Sequence, residues 1–549
     1  MRSFVSYCFI YLKEISIYSF EEGIGVFKIL QSLKFDRKFM QSCLTELSRL
    51  VTLSNCQELY SVGVELCHDG PKNIALYLLM YKIEQLKTSE FFLGLPCEDC
   101  CKIFSHSMLN VPNEFSVVEL ILDWLKNKEV DTPMVQLESM ALQMFGCVRW
   151  GKISKAEMEY LKSKELVQSS QSIQTFLRSH INEKEEGEAR GWPRLLVLVE
   201  RYDIYDILAA LDDKMCSVHS YDSETKQWST MTKVPITAQK VYDVGSDFYS
   251  VTSVQNNLVL TWSNNSVPYI PVAVQTYDIW SDSWSKTPCL VEDATNKDHH
   301  STVEVRETVY TVIVPKKKSE INTMCLHMMS GVLTDSPLWS VASRSTSQTC
   351  QTVPHLASTG DLVHMIGYRG SSVHGRLSLD TYNPMTQTWA ETWLRDSDDV
   401  ADSAWVGWGG GLAKVGGFCK EQGMSSDKFE VFPLEGGGGK SFASMVKERW
   451  GPGLVEYKGM LFAAGGRGCT VKTVPNESGK RGKKQKKVTQ AFVEDTVEYY
   501  VPELDCWNLM RTQPKIACSN VSMVVVDKPV RLMSRDFTVK KGVERPLLE

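Results

Sequence analysis

The sequence predicts a multidomain α plus all-β protein: a helical first third, then a six-bladed β-propeller. Three observations carry this prediction. Apolar residues in 22–180 recur at helical spacing, and glycine or proline falls mainly at the breaks. From about Leu195 the texture changes to short apolar runs separated by polar, Gly-rich turns, the pattern of an all-β domain. In that second part a tyrosine followed closely by a tryptophan recurs at intervals near 50 residues, which is the period of a repeat.

Composition sets the outer bounds. Of 549 residues, 43% are apolar and 23% charged, which excludes a disordered or collagen-like chain. Sixty Lys plus Arg against 66 Asp plus Glu leave a net charge of −6, so no global basic field points to nucleic acid or an anionic membrane. Sixteen scattered cysteines are too sparse for a disulfide scaffold and read as reduced thiols of a cytoplasmic protein. No run reaches the ~18 apolar residues of a membrane span. Lys13 and Glu14 follow the apolar Val5–Leu12 where a signal peptide needs small residues, so no secretory leader is expected.

Along the helical part, Phe115, Val118, Leu122 and Leu125 place apolar side chains on one helix face. Pro112, Asn113 and Glu114 supply its start. Ile74–Leu86 and Leu137–Phe145 carry similar patterns, and Asp69-Gly70-Pro71, Leu95-Pro96, Val111-Pro112 and Thr132-Pro133 mark breaks. Cys97, Cys100 and Cys101 form the densest thiol group. No second Cys or His pair follows at zinc-finger spacing, so they read as incidental thiols on a helix. The charged stretch 181–192 reads as a solvated linker or helix end.

In the second part Tyr221 precedes Trp228, Tyr277 precedes Trp284, Tyr382 precedes Trp389 and Tyr500 precedes Trp507. Leu326 and Met328 precede Trp339 in a looser version. The Trp spacings are 56, 55 and 50 residues, then 118, which is two periods with a degenerate unit near Phe429–Phe432. Upstream runs end in Gly416-Gly417, Gly465-Gly466 and a lone Gly367. Six units are expected, beginning near residues 194, 241, 303, 355, 405 and 454. The repeats are worn: Val199-Glu200, Thr261-Trp262-Ser263 and Val314-Pro315 stand where a glycine pair belongs. A pair of β-sandwiches is the rival architecture.

This period, with its Tyr/Trp placement and glycine pairs, resembles the kelch motif. The resemblance implies four-stranded blades with Tyr and Trp packed between neighbours. Residues 40–162 resemble the BACK domain that accompanies kelch propellers. The matching pieces are Ser54-Asn55-Cys56, Phe91-Phe92-Leu93-Gly94-Leu95, Asn113-Glu114 before the helix reaching Trp124, and Phe145-Gly146-Cys147-Val148-Arg149-Trp150. Residues 4–47 resemble the tail of a BTB domain, Phe4–Ile17 its last strand region and Glu22–Leu47 its closing helices. The chain is therefore identified as a member of the kelch-like (BTB–BACK–kelch) family, with the N-terminal part of the BTB domain lacking. The expected domains are a BTB remnant over 1–47, a BACK domain over 48–180, a linker over 181–193, a propeller over 194–530 and a tail over 531–549.

No enzymatic constellation stands out, and no cofactor or metal is expected. Adjacent His299 and His300 read as loop residues. Gly436–Gly439 before Lys440 reads as a flexible loop without phosphate-loop spacing. The run 480–487 carries six positive charges and reads as a solvated loop, with a nuclear localisation signal as the alternative.

Binding is then the expected function, because loops on a rigid scaffold carry recognition. Arg369, Trp405, Arg449 and Arg467 are the candidate partner-binding residues, being anchor types near predicted turns. Trp408 reads as inter-blade packing. The family resemblance implies a non-enzymatic substrate adaptor of a cullin-3 ubiquitin ligase. The BTB and first BACK helices, here about Leu53–Cys67, would grip the cullin, and the propeller loops an unnamed protein substrate. It implies a homodimer only where the full BTB domain is present. No nucleic acid or membrane partner is expected. The alternatives are a cytoskeletal or scaffold binder without a ligase role and, more remotely, a copper oxidase built on similar blades, for which the histidines show no patterned ligand set.

Overall fold

The computed structural model describes residues 17–35, 37–129, 132–180, 190–201, 215–237, 249–254, 256–262, 273–287, 299–314, 326–332, 340–345, 355–369, 376–395, 400–419, 422–475, 485–516 and 520–533. The chain divides into a helical unit, Met1–Pro193 with Asp527–Glu549, and a β unit, Arg194–Val526.

In the helical unit, α1 (Phe20–Ser32) and α2 (Arg37–Leu50) stand where the closing helices of 22–47 are expected. Ser19 caps α1, its hydroxyl accepting from the Glu22 amide, while the Glu22 carboxylate accepts from the Tyr18 amide. Next come α3 (Cys56–Glu65) and α4 (Asp69–Tyr81). Ile74 to Tyr81 are buried without a break, so α4 has no solvent face along this stretch and forms the centre of the unit. The expected break at Asp69-Gly70-Pro71 falls between α3 and α4, and the triplet itself opens α4, because proline is tolerated in a first turn and the His68 ring accepts from the Gly70 amide. The Ile74–Leu86 stretch also divides at Lys82, leaving the short α5 (Ile83–Leu86).

The remaining helices are α6 (Glu90–Gly94), α7 (Cys97–Ser105), α8 (Glu114–Lys128), α9 (Met134–Phe145), α10 (Lys155–Lys162), α11 (Glu165–Ser169) and α12 (Gln171–His180). Asn113 caps α8 by accepting from the Ser116 amide at 2.9 Å. Its buried face is Val117, Val118, Leu120, Ile121, Trp124 and Leu125, and the expected stripe members Phe115 and Leu122 lie at its edge. Arg190, expected in a solvated linker, is buried. It makes a two-pronged bond to Glu114 at 2.8 and 2.7 Å and donates to the carbonyls of His106 and Cys147.

The C-terminal segment returns to this unit. Tyr81 donates to Asp527 at 2.9 Å, Trp192 Nε1 to the Lys528 carbonyl, and the Lys528 amide to the Pro193 carbonyl. Residues 527–530 thus group with the helices, where the sequence reading placed them in the propeller.

Among the described residues, the β unit contains six sheets, each framed by four antiparallel strands. The first holds β1 (Arg194–Arg201), β2 (Met215–Asp222), β3 (Gln227–Thr237) and the last strand of the chain, β30 (Asn520–Asp527), beside β1. The second holds β4 (Tyr249–Val254), β5 (Asn257–Trp262), β6 (Ala273–Asp278) and β7 (Ser283–Thr287). The third holds β8 (His299–Val305), β9 (Thr308–Val314), β10 (Leu326–Val332) and β11 (Ser340–Ser345). The fourth holds β12 (His355–Thr359), β13 (Leu362–Arg369), β14 (Arg376–Asn383) and β15 (Thr388–Arg395), extended by the two-residue β22 (Gly437–Gly438). The fifth holds β17 (Ala404–Trp408), β18 (Gly411–Val415), β21 (Phe429–Pro433) and β23 (Lys440–Ser441). The sixth holds β24 (Gly453–Tyr457), β25 (Met460–Ala464), β28 (Val497–Val501) and β29 (Cys506–Leu509). Two small sheets stand apart: β16 (Val400–Ala401), β19 (Phe418–Cys419) and β20 (Met424–Ser425), and the ribbon of β26 (Arg467–Pro475) and β27 (Gln485–Val493).

The first strands of successive sheets are neighbours. Ser250 of β4 bonds Thr302 of β8, and the Leu356 amide of β12 donates to Ser301 of β8. Gly407 of β17 lies against the Ser358 carbonyl of β12, while Val406 and Leu454 pack in one cluster shared by β17 and β24. Gly453 of β24 abuts Val521 of β30, and Ser253 of β4 donates to the Val525 carbonyl of β30.

All four Tyr/Trp pairs face each other directly across a hairpin, with ring centroids 5.3, 5.0, 5.1 and 5.5 Å apart. They pack between sheets: Tyr500 and Trp507 join Val415 and Phe429, while Tyr382 and Trp389 join Val305 and Tyr310. Trp339 and the run 316–318 lie outside the described residues. His299 and His300 open β8 and are not loop residues. Gly437 and Gly438 pair with Leu394 and Arg395, so 436–439 is a bound segment of the fourth sheet and not a free loop.

Candidate partner-binding surface

The expected binding residues sit at one end of their sheets, where the second strand finishes and the first begins. Glycine pairs shape this end in the fifth and sixth sheets. Gly416 and Gly417 follow β18 with φ of 65° and 116°, and Gly465 and Gly466 follow β25 with φ of 61° and 89°. A Cβ on Gly416 would lie 2.4 Å from the Arg449 carbonyl oxygen, and one on Gly417 2.3 Å from Val400 Cγ1. These positions need both the left-handed backbone and the missing side chain.

Arg449 corrects an expectation. It is fully buried, not an exposed anchor. Its Nη1 donates to the carbonyls of Gly465 and Thr496 at 2.9 and 3.0 Å. Its Nη2 donates to Thr496 Oγ1 and, at 2.6 Å, to Glu498 Oε1 on β28, whose other oxygen accepts from the Val446 amide. Burial lowers the affinity of the guanidinium for its proton and raises that of the Glu498 carboxyl, with their mutual attraction opposing both shifts. An arginine still keeps its charge under such a shift. Arg449 therefore ties the two glycine turns to the sixth sheet.

Arg467, also expected as an exposed anchor, is 7% exposed. Its guanidinium lies 5.2 Å from the Trp450 ring centre, and its backbone exchanges hydrogen bonds with Trp450. Trp450 in turn packs against Phe418 at 5.5 Å. Trp405 is half-buried, with Phe432 at 5.4 Å and Lys414 Nζ 5.8 Å from its ring centre. Arg369 ends β13 opposite Arg376 of β14, and its side chain lies outside the described residues. Trp408 packs against Phe429, Phe442 and Tyr500 and donates to the Gly459 carbonyl, as an inter-sheet residue does.

The residues that the surface does expose were not singled out from sequence. Phe492 and Val493, at the base of the β26–β27 ribbon, are 43% and 39% exposed, and Val446 is 50% exposed beside exposed Lys447 and Glu448. Phe492 stands opposite Gly468, in a ribbon paired to none of the six sheets, so strand alternation could not assign it a core. Residues 480–484 lie outside the described residues, while Gln485, Lys486 and Lys487 begin β27.

On the helical unit, the expected cullin-facing segment forms the Thr52–Asn55 turn and α3. Leu59 and Val62 point inward, while Leu53 at 40% and Val64 at 52% are exposed beside Glu58 and Glu65. Among the described residues, no group of three or more His, Cys, Asp or Glu side chains is placed to hold a metal ion. Among them too, no helix is long and apolar enough to cross a membrane.

Residues 56–163 match the family model BACK, described as BTB And C-terminal Kelch. A search of the curated proteins finds no match. Among solved structures, one titled "Structure of YjhT" is similar at 11% identity over 46% of this chain and 81% of that chain, with a TM-score of 0.34. Residues 56–163 are thus similar to a BACK domain.

Proposed function

We propose that the protein is a non-enzymatic substrate adaptor of a cullin-3 ubiquitin ligase. The observation that carries this reading is the BACK match over 56–163, followed in the same chain by six four-stranded sheets. The β unit is a closed six-bladed kelch propeller: each first strand neighbours the next, and β30 from the chain's end completes the blade that begins with β1. Its sheet end around Trp405, Trp450 and Phe492 receives a protein substrate, with Val446 and Val493 as further apolar contacts and Arg369 on the same end of the fourth blade. The turn at Leu53 and the outer face of α3 contribute to the cullin contact, and α1 and α2 are the closing helices of a BTB domain. The working compartment is the cytoplasm.

The test is co-immunoprecipitation with mass spectrometry, on this chain and on a form carrying a complete BTB domain at its N-terminus. Cullin-3 recovered with the extended form supports the reading. Its absence from both, with a stable partner outside the ligase machinery, overturns it and favours a scaffold role.

A further inference from the structure

Three thiols converge where α7 meets the end of α9. Cys97 and Cys101 are four residues apart on α7 and share a face. Cys147 follows α9 by two residues, its Sγ 3.5 Å from the Cys101 carbonyl and 3.5 Å from the Gln143 carbonyl. Cys97 Sγ lies 3.8 Å from Gln143 Oε1, so Cys97 and Cys147 meet at Gln143 while Cys147 Sγ borders Cys101. All three residues are half-buried, whereas Cys100 between them is fully buried. Peroxide can reach the group, and a second thiol stands ready beside the first.

The two central thiols are not equivalent. The neighbouring Cys101 thiol holds the Cys147 thiol below its ordinary range, with burial opposing and the Arg190 charge reinforcing the shift. The same neighbourhood pushes the Cys101 thiol up, aided by burial and by Glu98. Cys97 is pushed up to about 12, mainly by burial. Cys43 is likewise raised to about 12 by burial. Reactivity follows the thiolate, so it concentrates at Cys147.

We propose that Cys101 and Cys147 form an oxidisable dithiol, in which hydrogen peroxide converts Cys147 to a sulfenic acid and Cys101 resolves it to a disulfide. In the first step the Cys147 thiolate attacks one peroxide oxygen. The O–O bond breaks, an S–O bond forms, and the departing hydroxide takes a proton to leave as water. In the second step Cys101 sulfur attacks the sulfenic sulfur. An S–S bond forms, the S–O bond breaks, and the hydroxide leaves as a second water with the Cys101 proton. Two thiols and one peroxide thus give one disulfide and two waters; sulfur is oxidised by two electrons and peroxide oxygen reduced. The disulfide fastens α7 to the segment whose Cys147 carbonyl accepts from Arg190 and whose Arg149 amide donates to Glu114. Oxidation would therefore stiffen the buried Arg190–Glu114 anchor.

The experiment treats the full chain with hydrogen peroxide, blocks remaining thiols and maps tryptic peptides. The expected product joins peptide 88–102 to peptide 129–149, with fragmentation placing the bridge at Cys101 and Cys147 and a phosphine reductant reversing it. Cys147→Ser should remove the product and slow peroxide consumption by about tenfold, while Cys100→Ser should keep it. A bridge through Cys97, or oxidation of exposed Cys67 at a rate equal to Cys147, overturns the proposal. The wild-type map decides the matter alone if a variant fails to fold.

Discussion

Replacing Arg449 by alanine tests the correction at the sheet end most directly. The side chain supplies donors to the Gly465 and Thr496 carbonyls, to Thr496 Oγ1 and to the fully buried Glu498 carboxylate. Breaking a buried pair from one side costs about 3–5 kcal/mol, because the remaining charge is left without its counter-ion. Val446 still donates to Glu498, which softens that loss, but two carbonyls lose a donor at ~1 kcal/mol or more each. We expect Arg449→Ala to destabilise the β unit by about 4 kcal/mol. Replacing both partners by apolar residues, Arg449→Met with Glu498→Leu, should recover most of this, since no charge is then stranded. The assay is urea unfolding of the full chain, with pulse proteolysis assigning the transition to the β unit, read as a double-mutant cycle. A loss below ~1 kcal/mol for Arg449→Ala, joined to a loss of partner capture, would refute the structural role and restore that of an exposed anchor.

Three further outcomes are expected. Buried His364 sits between Thr359 at 2.6 Å and Thr381 at 3.0 Å, and burial lowers its pKa from 6.5 to about 4. Below 6.5 the unfolded chain takes up a proton that the folded chain refuses, so stability should fall by about 3 kcal/mol as pH drops towards 4; His364→Gln should flatten this slope of the urea midpoint, and an unchanged slope rules the mechanism out. Phe492→Ser with Val493→Ser should weaken capture of a partner by the β unit by about tenfold at an unchanged unfolding midpoint, and equal capture would move the contact elsewhere. Gly417→Ala should cost about 3 kcal/mol through its backbone and the Val400 contact, whereas Gly438→Ala, whose Cβ would meet the Arg395 carbonyl oxygen at an ordinary 4.0 Å, should stay within about 0.5 kcal/mol.

The Tyr/Trp pairs were legible because they are local. Tyr221 and Trp228 belong to one tight hairpin, whose short turn fixes them opposite each other and lets a linear spacing report a spatial contact. What was not legible depends on partners distant in the chain. Arg449 looks like an exposed anchor until Glu498 closes on it across 49 residues. Arg190 looks solvated until Glu114, 76 residues earlier, accepts its fork. A charge in a sequence carries a prior for the surface, and only the fold supplies the counter-charge that makes burial affordable.

The worn glycine pattern has a physical reading on the same terms. In the β unit, the buried arginines among the described residues are Arg449 and Arg467, and both lie against the turns that retain glycine pairs. A Cβ at Gly466 would meet the Trp450 carbonyl at 2.9 Å and the Arg449 Cβ at 3.4 Å, so the pair leaves room for the 449–450 backbone. That backbone in turn holds the guanidinium against the Gly465 carbonyl. The glycines and the arginine thus meet at one junction: the turns leave room for the 449–450 backbone, and the guanidinium binds the carbonyl of one of them. In the first sheet Glu200 takes the place of a glycine and accepts from the Ser217 amide at 2.8 Å, bonding locally between β1 and β2. The glycine pair is thus a requirement of close approach at particular junctions, and the Tyr/Trp spacing, which reports the hairpin itself, is the steadier sign of the repeat.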